Sequence, residues 1–129
     1  MDKNRLIDIN DRIAEQDGFL NETFKSILSL EIELNEMEKE KELVVENQKA
    51  IIWADSSLKN NDQRNAVLNK TLLDDDEYVN MEEEIDGQKN NIKQLKIDIE
   101  KIKAEKNYWK RMFEIEMLFA KSNDINLDS

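Results

Sequence analysis

Apolar residues recur along the chain at the spacing of two long amphipathic helices. From Leu6 a seven-residue register places Leu6, Ile13, Leu20, Ile27, Leu34, Lys41 and Gln48 at a positions. Its d positions are Ile9, Gln16, Thr23, Leu30, Met37, Val44 and Ile51, and ten of these fourteen residues are apolar. From Tyr78 a second register puts Tyr78, Ile85, Ile92, Ile99, Lys106, Phe113 and Ala120 at a, with Met81, Gln88, Leu95, Ile102, Trp109 and Glu116 at d; ten of these thirteen are apolar. Such a period predicts helices that bury one seam each. At 1.5 Å per residue each would be on the order of 70 to 80 Å long, a rod that needs a partner along its length.

The pattern breaks at Asp55-Ser56-Ser57 and at Asp74-Asp75-Asp76. Between the breaks, Asn61 or Asp62 can cap a short helix that carries Ala66, Val67, Leu68, Leu72 and Leu73. Asp74 with Glu77 offers an imperfect capping box for the last helix. The expected fold is all-α, an antiparallel coiled-coil hairpin of two long helices with a short helix at the bend. It forms a single domain over 1–129, with helices at about 3–54, 61–73 and 75–121 and a frayed tail at 122–129. The hairpin register that sets Gln48 against Gln88 lets two polar seam residues satisfy each other. It also brings Glu31 to Lys103 and Glu38 to Lys96, although the other flank opposes Glu33 to Glu105 and Glu40 to Asp98. A parallel homodimer of the last helix is the rival arrangement, and it would stack Lys106 on Lys106.

Composition narrows the chemistry. The chain has no cysteine and no histidine, so thiol and imidazole nucleophiles, imidazole bases, zinc sites built on either side chain, and disulfides are all absent. No proline and only two glycines, Gly18 and Gly87, argue against the turn-rich sheet folds. No apolar run approaches a membrane span and MDKNRLIDINDR has no signal-peptide core, so a cytoplasmic protein with no membrane association is expected. The acidic cluster from Asp74 to Asp86 has no calcium-loop spacing and reads as a solvated helix start. Glu33 with Glu36 and Glu83 with Asp86 match the paired-acid strings of helical nucleotide pyrophosphohydrolases. In the expected register, however, the pairs lie on the order of 20 Å apart, too far to share a magnesium ion. No catalytic residue, cofactor or metal ligand is therefore assigned, and the chain is not expected to be an enzyme.

Two surfaces remain as candidates. Formal charge is -11, yet residues 89–111 carry eight Lys or Arg against three acids. Lys89, Lys96, Lys103 and Lys110 recur every seven residues beside Tyr108, Trp109 and Arg111, a row that could follow a single-stranded phosphate backbone and stack a base. The overall negative charge opposes that reading, which stands as the alternative function. The second surface is apolar: Phe19, Leu20, Phe24, Ile27 and Leu28 on the first helix, with Met112, Phe113, Ile115, Met117, Leu118 and Phe119 on the last. A two-helix hairpin cannot bury all of it, so a homo-oligomer (dimer or tetramer) or a different protein partner is expected there.

Asn61-Asp62-Gln63-Arg64-Asn65-Ala66-Val67-Leu68, then Asp76-Glu77-Tyr78 and a long helix ending Tyr108-Trp109-Lys110-Arg111-Met112-Phe113, resembles a group of small coiled-coil proteins. These are encoded in early, replication or recombination regions of phages and prophages of Gram-positive bacteria. The resemblance covers residues 61–119, and fifteen asparagines with a preference for lysine over arginine suit an AT-rich genome. It implies a cytoplasmic early phage protein without catalytic residues. Its function would be protein–protein interaction in replication or recombination, or inhibition of a host factor by occlusion.

Overall fold

With no proline and two glycines, little interrupts the backbone ladder once a helix has started. The computed structural model accordingly consists of α1 (Lys3–Trp53), α2 (Asn61–Leu73) and α3 (Asp76–Asp128). It describes the backbone of residues 3–128 and the side chains as far as residue 122, and there is no strand among the described residues. The tail expected to fray from residue 122 is helical through Asp128, because no Gly or Pro follows Gly87 to stop it; Ser129 lies outside the described residues. Gly18 and Gly87 both sit within helices with open space where a Cβ would point. Among the described residues no helix is long and apolar enough to cross a membrane.

The helix ends are set by short polar side chains. After Trp53 the chain turns through Asp55, whose Oδ1 accepts from the Ser57 N–H at 2.9 Å and from its hydroxyl at 2.7 Å. These two donors, the hydroxyl first, hold the Asp55 carboxyl below its ordinary pKa. The cap of α2 is Asn60, one residue before the expected Asn61 or Asp62. Its extended backbone (φ -147°, ψ 167°) lets Oδ1 accept from the Gln63 N–H at 2.8 Å. Gln63 reaches back, its Oε1 accepting from the Lys59 N–H at 2.9 Å. The cap of α3 is Asp75, which accepts from the Glu77 and Tyr78 N–H groups at 3.0 and 3.4 Å. Asp74, expected in that role, instead closes α2 with its own N–H on the Lys70 carbonyl at 3.0 Å. Only two residues separate these helices, so one ends the first and the other starts the second.

Contacts group the chain into two compact units: a central unit, Leu28–Lys93, and a terminal unit made of Met1–Ile27 and Gln94–Ser129. In the central unit Ile52, Leu68, Leu72 and Tyr78 form a buried cluster, with Val44, Val45 and Leu58 packed against it. Ile52 is therefore core, while Ile51, the expected seam residue, is 66% exposed. An α-helix drifts by roughly 20° per heptad, and α2 covers the face carrying Val45 and Ile52. Within the central unit α2 packs on the last turns of α1, and α3 meets α1 about two heptads nearer the α1 N-terminus than expected. Gln88 does not face Gln48. Its amide donates to the Leu30 carbonyl at 3.3 Å and to the Glu33 carboxylate at 3.1 Å. Glu38 pairs with Lys89 at 3.4 Å rather than with Lys96. In the terminal unit Ile9, Ile27, Ile99 and Ala120 are buried at seam positions, and Lys103 pairs with Glu100 of its own helix instead of Glu31.

Tyr78 joins all three helices of the central unit. Burial, then the hydrogen bond and the charge of Glu82, push its phenol up to about 12. A raised phenol pKa means that the folded state holds its proton more tightly than the unfolded chain. The associated stability is complete below about pH 10 and disappears as pH rises towards 12. Wild type should therefore lose on the order of 2 kcal/mol more than Tyr78→Phe between pH 9.5 and 12 in urea unfolding titrations. Asn60→Ala, which removes the α2 cap, should cost about 1 kcal/mol at neutral pH in the same measurement.

Candidate interaction surface

Along the C-terminal part of α3, one stripe faces inward and another faces out. Ala120 is buried, Phe113 and Trp109 are half-buried, and Glu116 lies on Arg5 at 2.6 Å, which together trace the inward face. Ile115, Leu118 and Phe119 are 44%, 66% and 63% exposed. With Ser122 they follow the i, i+3, i+4, i+7 spacing of a single helix face and line one shallow groove. Phe113, Glu114, Met117, Leu118 and Lys121 line the groove beside it. Fully burying each large apolar side chain is worth roughly 1.5 to 3 kcal/mol, so this face favours association.

The belt expected from the sequence divides between core and surface. Ile27 is buried, and Leu20, Met112, Phe113 and Met117 are half-buried. Phe19, Phe24 and Phe119 are exposed. Leu28 falls in the central unit. Ile115 and Leu118 emerge as the centre of the exposed face, and the signal for them is a second apolar spacing, 115-118-119, out of phase with the seam at 109-113-116-120. In the central unit Leu43 is also exposed, but its groove is lined by Lys39, Glu42 and Glu46, the solvated surroundings of an isolated apolar residue.

The basic row is exposed but occupied in part. Lys89 belongs to the central unit and pairs with Glu38; Lys96, Lys103, Lys110 and Arg111 belong to the terminal unit, and Lys103 pairs with Glu100. Trp109, the expected stacking residue, is half-buried, with the Arg12 guanidinium 4.8 Å from its ring centroid and Tyr108 edge-on at 5.0 Å. Its face is already in use by a cation, and its Nε1 finds no partner among the described residues.

The actual register removes the axial separation expected between the paired acids, since Glu33 meets Gln88. All four of these residues, Glu33, Glu36, Glu83 and Asp86, are exposed. Among the described residues, no three or more Asp or Glu gather where they could hold a metal ion. Charged residues at seam positions find opposite charges instead. Lys106 meets Asp17 at 2.5 Å, Lys41 meets Glu82 at 3.6 Å and lies 5.6 Å from the Tyr78 ring centroid, and Glu116 meets Arg5.

The chain matches no family model, no curated protein and no solved structure.

If the Lys106–Asp17 pair sets the alignment of the terminal unit, its two sides respond differently to removal. Asp17→Leu leaves a half-buried ammonium without its partner and should cost about 1 to 2 kcal/mol, whereas Lys106→Met replaces a seam cation by a flexible apolar chain and should cost less than about 0.5 kcal/mol. Urea unfolding midpoints of the two variants and the double variant check this order.

Proposed function

We propose that this chain is a non-catalytic protein–protein interaction module. It acts as an early phage protein in the cytoplasm of a bacterial host, either within replication or recombination or by occluding a host factor. The architecture proposed is one antiparallel helical hairpin with α2 at its bend. Contacts within each unit support that direction. Arg5–Glu116 and Asp17–Lys106 in the terminal unit, and Leu30–Gln88 and Lys41–Glu82 in the central unit, pair rising positions on α1 with falling positions on α3. The observation that carries the function is the Ile115, Leu118 and Phe119 face, an apolar stripe on the side of α3 away from its seam. The resemblance of residues 61–119 to small phage helical proteins supplies the biological setting.

The single-stranded nucleic-acid reading is less well supported, because Arg12 covers Trp109 and acids hold Lys89 and Lys103. A titration with fluorescent single-stranded oligonucleotide at 20 mM and 200 mM salt separates the two readings. The interaction module should leave the signal unchanged at both. Saturable binding that weakens with a log–log salt slope of about -3, the value for four neutralised phosphates, would overturn the proposal.

A further inference from the structure

The proposal of an interaction module leaves its partner open, and charge placement beside the apolar face selects one. Glu114 and Lys121 line the groove next to Leu118, seven residues apart and so on the same flank of α3. Ile115 and Leu118 lie between them in sequence. When two such helices pair antiparallel about a two-fold axis near residues 116–118, Ile115 of one copy meets Leu118 of the other. Each copy's Glu114 then approaches the other copy's Lys121, and because an isologous contact is used twice, two opposite-charge pairs form. A parallel two-fold pairing would put this flank of one copy on the opposite side of the interface from the same flank of the other, so Glu114 and Lys121 could not meet across it. The stripe and its flank are therefore self-complementary in one orientation only.

We infer that α3 docks on a second copy of this chain, antiparallel and two-fold symmetric, through Ile115, Leu118 and Phe119, with Glu114 and Lys121 closing one flank. This rests on the interaction-module reading and names its partner. Net charge does not prevent it. Although each copy carries -11 overall, the segment 101–122 contributes six basic and three acidic side chains, and at about 0.15 M salt the screening length is near 8 Å, so distant acids contribute little. The interface differs from the rival dimer considered from the sequence, because it uses the outer face of α3 and leaves the seam intact.

Light scattering and sedimentation equilibrium on the full chain between 1 and 200 µM test the inference. Wild type should reach the mass of two chains, and Leu118→Glu should weaken dimerisation at least about hundredfold while circular dichroism shows unchanged helicity. Glu114→Lys and Lys121→Glu should each weaken it about tenfold, and the double swap should restore the wild-type constant, since it exchanges both charges of each pair. Orientation has its own readout in a chain without cysteine. Glu114→Cys mixed with Lys121→Cys should give oxidative cross-links between the two variants, with little cross-linking of Glu114→Cys to itself. A monomer over the whole range, a double swap that fails to restore association, or self-cross-linking of Glu114→Cys alone would overturn the inference. None of these results requires oligonucleotide binding, so failure here is distinct from failure of the interaction-module reading.

Discussion

A charged side chain at a helix seam can be tolerated only where the facing helix supplies its counter-charge, and in this chain Lys41, Lys106 and Glu116 impose that condition. A seam made only of Ile and Leu would be nearly indifferent to sliding by a heptad, since apolar residues would again meet apolar residues. The ion pairs break the degeneracy. Moving α3 by one heptad would take Lys106 from Asp17 and Glu116 from Arg5, leaving part-buried charges without partners. Each pair retains some exposure, so its gain over water is small. Their larger effect is to make the alternatives worse, which is how polar seam residues specify alignment.

The second determinant is α2. Thirteen residues long, it is too short to be a stable helix alone and depends on burying Leu68 and Leu72 against Ile52 and Tyr78. That packing fixes where α3 begins along α1. Tyr78 sits near the start of α3 with its ring among aliphatic side chains and the Lys41 ammonium above it. The joint thus combines apolar burial, a cation–π contact and the Lys41–Glu82 pair within a few residues. Further along α3 the Gln88 amide, a polar group in the middle of an apolar seam, is satisfied by a backbone carbonyl and by Glu33.

Helix content and the three-helix division can be read from the sequence because they depend on local signals: the heptads, the missing prolines, and the Asp-Ser-Ser and triple-Asp breaks. Alignment between α1 and α3 cannot. Matching Gln48 to Gln88 pairs two polar residues sensibly, but it ignores the space that α2 needs against Val45 and Ile52. Cap positions differ by one residue for a related reason, since Asn60, Asn61 and Asp62 can all cap a helix and only backbone geometry chooses among them. At the candidate surface, counting apolar residues locates the right end of α3 but does not separate Phe113, which faces inward, from Leu118, which faces out.

The Arg5–Glu116 pair has a mechanical implication. It joins a residue near the beginning of the chain to one near the end, so tension applied between the two termini would act across the seam like opposing tabs of a zipper. Rupture in that geometry proceeds contact by contact at low force. A tether fused at both ends would therefore open the terminal unit with the Arg5 contact as its first catch and the Asp17–Lys106 contact as the next.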